Sequence, residues 1–162
     1  MLRLFKSETF DQIEEIPIDG RIWGIDFSRH TAASNSNPKS EGDPSYSYQM
    51  AVASGSDVAI IFDAAFLPCL HVPRPRTVRG LVFHPRLPIL AIGDGSGYVA
   101  IVDYDQEETL KEFNAGSRIN TVAFSPTGDF LCIGTDECLF ALYETNVSSP
   151  CKSGIFFSVV SF

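Results

Sequence analysis

The chain has 162 residues, of which 44% are hydrophobic and 20% charged, a composition that reads as soluble and globular with enough length for a substantial core. Its formal charge of −8 argues against a general nucleic-acid binder, which carries a basic excess, although a local basic patch is compatible with it. Thirteen Phe, five Tyr and many Val and Ile favour strands over helices.

The opening residues, Met1 to Glu8, contain no apolar stretch of signal-peptide length, and no run in the chain reaches the roughly 20 apolar residues that span a bilayer. The expectation is an intracellular protein, cytoplasmic or nuclear. Cys69, Cys132, Cys138 and Cys151 form no C-x-x-C pair and have no His at a zinc-ligand spacing, so they read as buried or incidental thiols. No metal and no cofactor is called for.

Taken in chain order, Leu2 to Lys6 and Gln12 to Ile18 read as two strands. Ile22-Trp23-Gly24-Ile25-Asp26-Phe27 reads as the next, and a polar stretch from Arg29 to Gln49 separates it from Met50-Ala51-Val52-Ala53. Val58 to Asp63 and Cys69 to Val72 complete a group of four. A second group follows: Val78 to Phe83, Leu90 to Gly93, Tyr98 to Asp103, Thr109 to Phe113. A third contains Ile119 to Phe124, Leu131 to Gly134 and Leu139 to Tyr143, after which Ser148 to Ser153 is turn-like. Phe157 to Phe162 is a last apolar run. Each segment is short, rich in β-branched and aromatic residues, and bounded by Gly, Pro, Asp or Ser.

The groups are copies of one another. Val78-Arg79-Gly80-Leu81-Val82-Phe83-His84-Pro85 is followed 41 residues later by Ile119-Asn120-Thr121-Val122-Ala123-Phe124-Ser125-Pro126. Phe62, Val102 and Leu142 share one repeat position at a spacing of 40 residues. Four strands per 40 residues describe one propeller blade, whose two faces are buried only when blades stack. The pattern resembles the WD40 family over nearly the whole chain. The matching marks are the Phe-Ser-Pro or Phe-His-Pro ending of the first strand, the small-residue turn after the second, and Phe62-Asp63 closing a third. The Gly-His and Trp-Asp pairs usual in that family are missing.

The resemblance implies an all-β fold of β-propeller blades, each of four antiparallel strands. About three and a half WD40-like blades are present and the ring is incomplete. Residues 1–19 are expected to be the last two strands of a truncated blade. Residues 20–73 form a blade with a disordered insertion at 29–49, 74–114 and 115–153 form two more, and 154–162 open a further blade. An open arc exposes apolar faces, so the expectation is either a fragment of a larger propeller or a ring closed by another chain.

Gly93-Asp94-Gly95-Ser96-Gly97 suggests a phosphate loop, but a strand rather than a helix follows it, so it reads as a hairpin turn. The three His, at 30, 71 and 84, take part in no recognisable nucleophile–base–acid arrangement, and the chain is read as no enzyme. Arg74, Arg76 and Arg79 lie in and just beyond the connection into a first strand, and Arg21 and Arg118 precede the corresponding strands. In WD40-like propellers such connections share a face with the turns after the second strands, here carrying Asp57, Asp94 and Asp136. The Arg residues are either solvated loop charges paired with those Asp residues or a partner-binding cluster. Trp23, at the repeat position of Arg79 and Asn120, is either core or an anchor of the same face.

The functional expectation is a non-catalytic scaffold that binds partner proteins through its loop faces, within a multi-protein complex. The alternative is a ligand-binding propeller that recognises phosphorylated peptide or anionic head groups through the Arg cluster. Phosphoinositide-binding propellers carry paired Arg, and Val78-Arg79-Gly80 lacks the second.

Overall fold

The structure is a computed structural model, and it describes residues 1–28, 48–137, 140–146 and 156–159, the last two stretches for their backbone only. β1 (Leu2–Phe5) pairs with β2 (Gln12–Ile16) in a two-stranded sheet. The first four-stranded sheet contains β3 (Ile22–Phe27), β4 (Met50–Ser54), β5 (Val58–Phe62) and β6 (Pro68–Pro73). The second contains β7 (Val78–Phe83), β8 (Ile89–Asp94), β9 (Tyr98–Asp103) and β10 (Glu108–Asn114). The third contains β11 (Ile119–Phe124), β12 (Phe130–Thr135), β13 (Phe140–Asn146) and β14 (Phe156–Val159). Within each sheet every strand pairs antiparallel with the next in the chain, the order of a propeller blade. Among the described residues there is no helix, and so none long and apolar enough to cross a membrane.

The register repeats with the sequence. Phe27 lies opposite Met50, Phe83 opposite Leu90, and Phe124 opposite Leu131. Middle strands are covered on both faces, which is why β8 and β9 are near-continuous apolar runs. On β8, Leu90 and Ile92 join the core shared with the first four-stranded sheet, while Ile89 and Ala91 join the core shared with the third. Each fully buried Val, Ile or Leu contributes about 1.5–3 kcal/mol, so these inter-sheet layers hold the blades together. Leu2 and Ile16 of the two-stranded sheet, with Ile18 just beyond it, pack in the same way on Met50, Val52 and Phe62.

The turns between third and fourth strands also repeat. Phe10, Phe66 and Glu107 each adopt a left-handed backbone, with φ of 58°, 59° and 54°. Asp63 Oδ1 accepts the N–H groups of Ala65 and Leu67, and Asp103 Oδ1 accepts those of Asp105 and Gln106. A short carboxylate can cap such a turn locally, which accounts for Asp at the end of the third strand.

Two boundaries differ from the sequence reading. Residues 154–162 were assigned to the opening of a further blade, yet β14 pairs with β13 and supplies the fourth strand of the third sheet. The open outer edge of β13 needs a partner, and Phe156–Val159 is the next run of β-forming residues in the chain. Tyr48 and Gln49 were counted with the insertion at 29–49 but form its base. Ser28 and Gln49 exchange a backbone hydrogen bond of 2.8 Å and a side-chain one of the same length, and Tyr48 packs edge-on against Phe27. The rest of the expected disordered insertion, residues 29–47, lies outside the described residues, as do Cys138 and Cys151.

Candidate functional site

The site begins with a defect repeated three times. The pairing of each first strand with its second slips between Ile22 and Gly24, between Val78 and Gly80, and between Ile119 and Thr121. Trp23, Arg79 and Asn120 are therefore bulge residues, left out of the ladder, and a bulge re-aims its side chain. These three meet across the sheets. The Arg79 guanidinium carbon sits 4.4 Å from the Trp23 ring centroid, and Arg79 Nη1 donates to Asn120 Oδ1 at 3.2 Å. Asn120 Nδ2 in turn donates to Asp136 Oδ1, and the other oxygen of Asp136 pairs with Arg118 Nε at 3.2 Å. A guanidinium held over an indole gains from the ring's electron-rich face while its N–H groups can still donate.

The connections into the first strands close around this row. Gly95 N–H donates to Thr77 O at 2.9 Å, and Asp136 N–H donates to Arg118 O at 3.0 Å, repeat-equivalent bonds that fasten each connection to a turn after a second strand. Connections and second turns thus share one face. Gly55 is required there, because a Cβ at that position would lie 2.8 Å from Arg21 N. The result is a concavity of about 650 Å³ lined by Arg21, Trp23, Arg76, Arg79 and Arg118 with Thr77 and glycine backbone. No carboxylate among the described residues lines it. Arg118 is balanced by Asp136 at the rim, whereas Arg21 and Arg76 have no ion-pair partner among the described residues.

The other residues singled out from the sequence stand elsewhere. Arg74 is only 6% exposed, and its Nη2 reaches the wholly buried Asp94 at 3.2 Å and Glu112 at 2.5 Å. Asp94 Oδ1 also accepts Ser96 N–H at 2.9 Å, Ser96 Oγ at 2.7 Å and Tyr98 N–H at 3.2 Å. This pair is a buried clamp on the Gly93–Gly97 turn, and it is not part of an accessible surface. A carboxylate that caps a turn inside the blade stack needs a cation beside it. Asp57 is exposed in its turn, its carbonyl accepts Arg74 N–H at 2.7 Å, and it does not line the concavity. Asn120 was not singled out as a site residue, although its shared repeat position with Trp23 and Arg79 was the signal that marks it.

At the opposite end of the blades the chemistry is sealing. Asp26 Oδ2 accepts Phe83 N–H at 2.8 Å between neighbouring sheets. His84, buried, accepts the N–H groups of Arg86 and Leu87 at Nδ1 and faces Gly128 O through Nε2 at 3.2 Å. With Nδ1 accepting twice, the proton sits on Nε2, which donates to Gly128 O.

No protein-family profile matches the chain. Over 72 residues it is 29% identical to cleavage stimulation factor subunit 50 of Arabidopsis thaliana, a match that takes in 43% of this chain and 17% of that protein. Among solved structures, a chain of the mitotic checkpoint complex superposes with a TM-score of 0.55 at 18% identity, over 59% of this chain and 32% of that one. Both matches therefore reach only a minor part of the other protein. With its repeat register, its four-stranded antiparallel sheets and these likenesses, the chain is a run of divergent WD40-like β-propeller blades.

Proposed function

We propose that the chain is a non-catalytic interaction module that holds partner proteins on the face made by the blade connections and second turns. The observation that carries this reading is the convergence of Arg21, Trp23, Arg76, Arg79 and Arg118, from three sheets, around one concavity with no lining carboxylate among the described residues. Exposed Trp and Arg on a rigid frame are the residue types that dominate binding energy at protein interfaces. Two guanidiniums without ion-pair partners among the described residues are poorly explained as structural charges. The two matched proteins are named as a subunit and as part of a complex, which supports a role within an assembly. This reading includes an intracellular setting, cytoplasmic or nuclear, and no general binding of nucleic acid.

The test is quantitative affinity purification with the wild-type chain and with Arg76→Glu/Arg79→Glu. Both side chains lie at the surface of the concavity, so the double variant is expected to keep its circular dichroism spectrum and thermal midpoint. Recovery of associated proteins is expected to fall roughly tenfold or more, the loss typical when a charge-assisted contact is removed and a like charge put in its place. A set of associated proteins unchanged by the double substitution would show that partners use another face.

A further inference from the structure

We infer that the concavity takes a phosphorylated side chain of a peptide, with Arg21 and Arg76 as the principal phosphate ligands; the inference rests on the interaction reading of the same face. The argument is one of charge and donor number. Among the described residues, four guanidiniums line a single concavity of about 650 Å³, and the only carboxylate bonded to any of them is that of Asp136, which holds Arg118. Arg79 is held by Trp23 and Asn120, so its position is set before any ligand arrives. Arg21 and Arg76, exposed and without ion-pair partners among the described residues, have their donor forks available to an anionic ligand. One carboxylate satisfies one guanidinium fork and leaves the second cation unpaired. A phosphate monoester carries close to two charges and three acceptor oxygens, enough to engage two forks at once.

The shape and the global charge favour a peptide over a membrane as the source of that phosphate. The chain carries a net charge of −8, which repels an anionic bilayer at long range. A bilayer brings many anionic groups within a Debye length of about 8 Å of the acidic surface at once, whereas a single phosphate on a flexible chain meets only the local positive field. The arginines are gathered at the surface around one open concavity and are not spread over a basic face. Trp23, partly exposed at its edge, offers apolar contact to the residue beside the phosphorylated one.

The experiment compares two peptide pools by fluorescence anisotropy on the full chain. One pool has a central phosphoserine flanked by randomised positions, and the other has serine at the same place. The phosphoserine pool is expected to bind roughly tenfold tighter or better, and Arg21→Gln/Arg76→Gln is expected to erase that difference. Arg86→Gln removes one charge from the opposite end of the blades, where Arg86 pairs with Asp129 in solvent, and is expected to leave the difference intact. The conservative Arg21→Lys/Arg76→Lys variant keeps the charge and loses the fork, so partial retention is expected. Because folding of any variant could shift affinity, wild type is also titrated with salt; the phosphate-dependent increment should shrink while serine-pool binding changes little.

Equal binding of the two pools by wild type overturns the inference, as does a difference that survives Arg21→Gln/Arg76→Gln or vanishes equally in Arg86→Gln. A third arm uses phosphatidylcholine vesicles containing phosphatidylinositol bisphosphate. Tighter, Arg76-dependent binding to those vesicles than to the phosphoserine pool would replace the peptide with a membrane. The two readings fail separately. Loss of partners in Arg76→Glu/Arg79→Glu with equal peptide pools leaves the interaction face standing and removes only the phosphate.

Discussion

β3 and β7 occupy the same place in neighbouring sheets and carry apolar residues at the same repeat positions, yet they are buried to opposite degrees. Leu81 and Phe83 on β7 are 6% and 4% exposed, whereas Ile25 and Phe27 on β3 are 43% and 46% exposed. The difference lies in the neighbour. β7 packs against β3 and β4 of a four-stranded sheet, while the sheet on the other side of β3 has only β1 and β2. Those two strands cover Met50, Val52 and Phe62 and stop short of Ile25 and Phe27. A side chain of the right type at the right register is thus only a candidate for the core. The adjoining sheet decides whether it contributes transfer free energy or remains in water.

The largest expected effect is at the sealed position. Phe83 packs within the inter-sheet core and edge-on to Tyr104 at 5.3 Å, so Phe83→Ala should cost roughly 3–5 kcal/mol in urea unfolding. A loss under about 1 kcal/mol would mean that the two sheets are not packed as described. Next comes His84→Ala, which leaves two N–H groups and the Gly128 carbonyl without their side-chain partner; about 1–3 kcal/mol is expected from the same measurement.

A pH dependence should come from the same sealed region. Burial, and then the negative charges of Asp105 and Asp103, push the Tyr104 phenol above its ordinary value of 10. The unfolded chain therefore gives up this proton more readily than the folded one. Stability is fully present below about pH 10 and declines as pH rises through and beyond it. Thermal midpoints measured across that range should fall for wild type, and Tyr104→Phe should remove that part of the fall. The smallest effect is expected on the uncovered strand, where Ile25→Ala should change stability by under about 1 kcal/mol. A loss at Ile25 as large as that at Phe83 would erase the contrast between the two strands.

Much of the fold was legible because propeller blades advertise themselves by repetition. The apolar-x-x-apolar-x-Phe spacing located β3, β7 and β11, and short β-rich segments between turn residues located most of the others. The left-handed residues were invisible, because Phe and Glu give no signal for a conformation that their side chains disfavour. The candidate site was half legible. Repeat position together with the WD40 resemblance puts Arg21, Arg76, Arg79 and Arg118 on one face, and they line one concavity. Sequence proximity groups Arg74 with them, yet two residues of separation put its guanidinium against the buried Asp94 and the exposed Glu112.

What the sequence by itself determined is periodic: strand type, strand order, and the repeat positions at which connections and turns recur. These follow from local rules, a two-residue side-chain alternation and turn chemistry, applied once per repeat. What only the tertiary structure decided is relational. The ladder slips that turn Trp23, Arg79 and Asn120 toward one another depend on pairing between strands. The loss of Arg74 to Asp94, the union of β14 with β13, and the exposure of Ile25 depend on which group happens to be nearest in space. Partner choice of that kind is set by packing across tens of residues, a distance over which a sequence pattern carries no direct record of contact.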